Sequence, residues 1–119
     1  MPKPAAVPLS PAEAMAAIAT HCIDLDGTVT YEENQALRLA LSQVDLMGGP
    51  AQVRDALRRV SGLVRAQGAE SILEAAIHAT PTGWRPHTYA VAARLVAADG
   101  DVDEAESELL RRLKREFRI

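Results

Sequence analysis

The sequence predicts an all-α protein, a compact bundle of about six helices that contains two pseudo-symmetric helix-turn-helix hairpins. Three observations predict it. Apolar residues recur at spacings of three and four along the 119 residues, which is the period of one helix face. No stretch alternates apolar and polar residues with the β-branched enrichment that a strand needs. Alanine, the strongest helix former, is abundant, and capping residues, prolines and glycines fall where helices begin and end.

The elements follow in order. Pro2, Pro4 and Pro8 exclude a regular helix from residues 1–9, which read as a flexible arm ahead of a helical domain over 10–119. The arm lacks the apolar core of a signal peptide. Ser10-Pro11-Ala12-Glu13 is a capping box with proline at the first helical position, so a helix runs near 11–25 with Met15, Ile18, Cys22 and Leu25 inward. Thr30-Tyr31-Glu32-Glu33 is a second box, opening a helix over 31–46. Gly48-Gly49 ends it. Pro50 opens a third helix, 50–67, with Val53, Leu57, Val60 and Val64 on one face and Gly62 as its weak point. After Gly68 comes a fourth over 69–79. Pro86 opens a fifth, 86–98, carrying Tyr89, Ala92 and Val96. Asp103-Glu104-Ala105-Glu106 is a third box, opening a helix over 103–117 with Leu109, Leu113 and Phe117 inward. Connections this short predict roughly antiparallel neighbours.

Composition bounds the function. With 48% apolar residues the chain can build an ordinary core. A single cysteine, Cys22, excludes a disulfide framework and a paired-cysteine metal site. A net charge of −3 and a pI near 5.6 argue against nucleic acid as partner. No run reaches the ~18 apolar residues of a membrane span, so the expected compartment is the cytoplasm. The tail Arg111–Ile119 holds five bases and one acid, which complement the C-terminal end of a helix dipole.

The chain also echoes itself. At an offset of 73 residues, Asp26, Gly27, Val29 and Glu33 align with Asp99, Gly100, Val102 and Glu106. The shared logic is helix, tight turn, helix. Each glycine is free to take the positive φ that ends a helix. Each valine is expected to tuck inward and anchor the turn, and each glutamate to reach back to the next helix start. This twice-repeated Asp-Gly-x-Val-x-x-x-Glu pattern, clearest in Ala90–Leu113, resembles the TerB-like family, small α-helical domains of tellurite-resistance proteins related to the N-terminal domain of the DjlA co-chaperone. The resemblance spans about 11–119 and is strongest at the two hairpins.

The resemblance implies a cytoplasmic protein of stress or tellurite-resistance systems, a non-enzymatic adaptor or divalent-cation-binding module. It also implies an acidic site, carried over by position to Asp26, Glu33, Asp99 and Glu106. Asp24, Asp101 and Asp103 add acids particular to this chain. Asp24 to Glu33 holds four acids and no base, and Asp99 to Glu108 holds six and no base. Such blocks repel themselves unless a cation, an arginine or a helix N-terminus offsets them. Calcium or magnesium is the cofactor such oxygen donors suit. A calcium EF-hand laid on the first turn would place Cys22 at loop position 1, a soft ligand for a hard cation, and in the second turn Leu95, which has no side-chain oxygen. Alternatively the acids are helix caps and solvated helix starts.

Catalytic signals are thin. His21 and Cys22 are neighbours that point about 100° apart on a helix, and no metalloprotease, serine-hydrolase or phosphate-loop motif occurs. Cys22 lies on the apolar stripe and is expected to be buried. His78 and His87 suit helix-end roles. Trp84 either plugs the core or marks a contact surface. Arg54, Arg58, Arg59 and Arg65 give the third helix a basic face, suited to solvent or to an acidic protein partner, a second copy of this chain included. Two other classes stay open: a small acid–base or metal-dependent enzyme using the turn carboxylates, and a ligand-free protein-interaction module.

Overall fold

The Ser10 N–H donates to Glu13 Oε1 at 2.9 Å and the Glu13 N–H to Ser10 Oγ at 3.1 Å. This reciprocal pair starts α1 (Pro11–Ile23). The computed structural model describes residues 8–23, 30–97 and 102–119. Five more α-helices lie within them: α2 (Tyr31–Ser42), α3 (Pro50–Gln67), α4 (Ala69–Ala79), α5 (Arg85–Val96) and α6 (Glu104–Phe117). Single 3-10 turns occupy Asp45–Met47 and Thr82–Trp84, and no strand occurs among the described residues. The all-α bundle is the fold class expected.

α1 is the centre of the bundle. Ala14, Met15, Ala16, Ala17, Ile18 and Ala19 are consecutive and all buried, as are Cys22 and Ile23. A helix apolar on every side must be covered on every side, and α2, α3, α4 and α5 all pack on it. Its alanines let those neighbours approach closely. α6 is the opposite case. It lies on α5 and α4, burying the single stripe Leu109, Leu113 and Phe117 while its other faces carry charge. The Cα radius of gyration is 13.3 Å, close to the ~13.5 Å of a compact chain of this length.

α3 and α4 have the expected bounds. α3 runs unbroken through Gly62, where an added Cβ would meet no atom within 4 Å. One residue, Gly68, links the two helices at φ +92°, a conformation that L side chains rarely adopt. The second helix is shorter than the 31–46 expected. It stops at Ser42, Val44 becomes extended (φ −98°, ψ 121°), and a 3-10 turn follows. Val44 and Met47 still reach the core, at 4% and 2% exposure. Leu41, Val44 and Met47 are spaced alike for either path, so the apolar period does not mark the break. The expected ends of the first and fifth helices, 24–25 and 98, lie outside the described residues.

Ion pairs and caps tie the surface together. Arg59 on α3 reaches Glu13 on α1 at 2.7 Å, and its Nη2 donates to the Pro8 carbonyl at 3.4 Å. Arg112 on α6 reaches Glu70 on α4 at 2.6 Å and Glu116 on its own helix at 2.7 Å. The buried hydroxyls are satisfied locally. Thr80 donates to the Ala76 carbonyl and Thr88 to the Trp84 carbonyl, each at 2.7 Å. Trp84 is half-buried, packed on the core edge, with the His87 ring 5.4 Å away.

Candidate acidic site at the helix starts

Of the seven candidate carboxylates, Asp24, Asp26, Asp99 and Asp101 lie outside the described residues. Glu33, Asp103 and Glu106 lie within them, and all three take part in capping. At the start of α2 the Glu33 N–H donates to Thr30 Oγ1 at 3.1 Å, and the Thr30 N–H donates to Glu33 Oε1 at 3.0 Å. At the start of α6 the Glu106 N–H donates to Asp103 Oδ1 at 2.8 Å, and the Asp103 N–H donates to Glu106 Oε1 at 3.1 Å. The two starts thus use the same device at equivalent places in the repeat. Each glutamate has one oxygen committed to the backbone, which sets the direction of its carboxylate. Helix N-termini stabilise this negative charge electrostatically.

Cys22 links the two regions. It is 2% exposed, and burial, with the negative charge of Glu106 second, pushes its thiol from 9.0 up to about 12. The start of α6 therefore lies within electrostatic reach of the end of α1. The thiol stays protonated at neutral pH, as suits a buried cysteine packed in an apolar stripe. Leu95, the counterpart at the first loop position of the second turn, is also in the core, at 7% exposure. Neither turn has the first oxygen ligand of an EF-hand. Among the described residues no three or more His, Cys, Asp or Glu side chains are grouped to hold a metal ion.

One anchor is misplaced in the sequence reading. Val102, expected to tuck inward, is 47% exposed. It occupies the position before the Asp103 cap, where an apolar residue turns inward only against an apolar partner four residues into the helix. That partner is Ser107, so no staple forms. At the start of α1 the equivalent pair is Leu9 and Ala14, and Leu9 does pack on the core. Val29 lies outside the described residues.

The basic segments divide. In the C-terminal tail, Arg111 pairs with Glu108 at 2.7 Å and Glu104 at 3.5 Å, beside the Arg112 clasp. Arg85 lies over the Phe117 ring at 5.6 Å. Along α3, Arg59 is tied to Glu13, whereas Arg54, Arg58 and Arg65 are exposed. Sequence reasoning missed two features that only packing creates. One is an α2–α3 groove of about 380 Å³ flanked by Arg38 and Arg54. The other is a cleft of about 360 Å³ between α1, α3 and α4. No described helix is long and apolar enough to cross a membrane.

The family model for tellurite resistance protein TerB matches residues 12–119, nearly the whole chain. Comparison with curated proteins and with solved structures gives no match.

Proposed function

The chain belongs to the tellurite resistance protein TerB family, and from that membership we propose that it is a non-enzymatic cytoplasmic adaptor whose acidic turns bind a divalent cation, in a stress or tellurite-resistance setting. The observation that carries this reading is the proximity of Glu106 to Cys22. It sets the acid-rich start of α6 within electrostatic reach of the last turn of α1, and the first acidic segment follows that turn in sequence. The donors are carboxylate oxygens, which suit calcium or magnesium and not a soft metal. Glu33 and Glu106 would offer the oxygen not used in capping, and Asp24, Asp26, Asp99, Asp101 and Asp103 are the further candidate ligands. Neutralising these groups would relieve their mutual repulsion and change how the α1–α2 and α5–α6 hairpins pack. That change in packing would be the signal a partner reads.

Isothermal titration with calcium, magnesium and zinc, paired with thermal unfolding, tests the cation. Binding of a hard cation that raises Tm and is weakened by Asp26→Asn and Asp99→Asn supports the proposal. No heat and no thermal shift with any of the three metals would end it.

A second reading, a ligand-free interaction module, is favoured by the exposed face of Arg54, Arg58 and Arg65. That face suits an acidic protein surface, a second copy of this chain included. Light scattering after size exclusion, with and without Arg54→Glu and Arg58→Glu, tests the self-association. A monomer at all concentrations rules out the homodimer.

A further inference from the structure

We propose that the cleft between α1, α3 and α4 binds a small amphipathic carboxylate. The cleft exists because Ala17, Ser61 and Ala69 are small where the three helices face one another. Ile72 and Leu73, each 1% exposed, form its apolar floor. At about 360 Å³ it exceeds the roughly 150 Å³ that holds benzene in a dry cavity, and it falls within the usual range of ligand pockets.

Charge chooses among apolar ligands. Among the described residues no acid lines the cleft, although the chain carries a net charge of −3. Arg65 stands at its mouth, exposed and in no ion pair among the described residues. Two acids adjoin the α4 wall in sequence, Glu70, held at 2.6 Å by Arg112 on α6, and the exposed Glu74, and neither lines the cleft. A guanidinium fork matches a carboxylate in shape as well as charge. The floor adds the demand for an apolar body, which a simple inorganic anion lacks. An alkyl or aryl carboxylate meets both demands: its chain lies over Ile72 and Leu73 and its head meets Arg65.

The test is an NMR titration of the uniformly 15N-labelled full chain with octanoate, 1-octanol and acetate. Octanoate should give saturable shifts centred on amides of residues 17–21, 61–65 and 69–73, and acetate none. 1-Octanol should bind at least about tenfold more weakly, the loss expected for one charge-assisted hydrogen bond. Arg65→Gln should weaken octanoate by about tenfold and leave octanol unchanged. Ser61→Leu fills the cleft and should abolish both. If that variant fails to fold, Ala69→Leu, at an exposed position on the rim, takes its place. Absence of saturable shifts, shifts centred elsewhere, equal binding of octanol and octanoate, or full octanoate affinity in Arg65→Gln would each overturn the proposal.

Discussion

Glu106, in the first turn of α6, lies close enough to Cys22, in the last turn of α1, for its negative charge to oppose ionisation of the buried thiol. The two residues come from opposite ends of the chain. Their approach brings the start of one hairpin's second helix within electrostatic reach of the end of the other hairpin's first. A joint acidic site depends on this relationship.

The same thiol gives the protein a pH dependence. Folded, Cys22 titrates at about 12, against 9.0 for the unperturbed group. The native state therefore keeps a proton that the unfolded chain releases. This contribution is fully present below pH 9.0 and is lost as pH rises toward about 12, with a slope of up to about 1.4 kcal/mol per pH unit. Urea unfolding of wild type and Cys22→Val between pH 8 and 10.5, a range set by the thiol linkage, should show the steeper loss in wild type. Parallel slopes would contradict it.

The three capping boxes are separate and measurable. Ser10→Ala, Thr30→Ala and Asp103→Ala should each cost about 1 kcal/mol, because each strands a helix N–H donor. Asp103→Asn keeps an acceptor and should cost much less. Denaturant midpoints give the comparison.

Two glycines should respond with opposite signs. Gly62→Ala meets no atom within 4 Å in the middle of α3 and should stabilise by about 0.5–1 kcal/mol. Gly68→Ala meets no atom either, but its φ is +92°, so it should destabilise by about 1–2 kcal/mol. Thermal midpoints moving the same way for both would refute the backbone argument.

Arg112 joins α6 to α4 through Glu70 while also pairing with Glu116. Arg112→Ala should cost about 1–2 kcal/mol, and Arg112→Lys should recover part of that, because the charge returns without the fork. A double-mutant cycle with Glu70→Ala should give a coupling of about 0.5–1 kcal/mol. Zero coupling would make the pair incidental.

Much was legible along the chain because its signals are local. Ser10, Thr30 and Asp103 bond to residues three further on, so the starts of α1, α2 and α6 were readable from four-residue patterns. Pro50, Gly68 and the spacing of Val53, Leu57, Val60 and Val64 marked α3 and the start of α4 in the same way. The break after Ser42 was hidden because helix and 3-10 turn both carry Val44 and Met47 to the core. Val102 was misjudged because its fate depends on Ser107, whose lack of an apolar surface leaves nothing to pack against.

Sequence alone determined the helical class, the family resemblance through the repeated Asp-Gly turns, and the burial of Cys22 on an apolar stripe. These follow from backbone geometry and the period of one helix. Tertiary structure decided that α1 is the covered centre, that Glu106 lies within electrostatic reach of Cys22, that Arg112 is spent on Glu70, and that small residues from three helices leave a cleft with Arg65 at its mouth. Each of these depends on which helix faces which, and no helix carries that information in its own period.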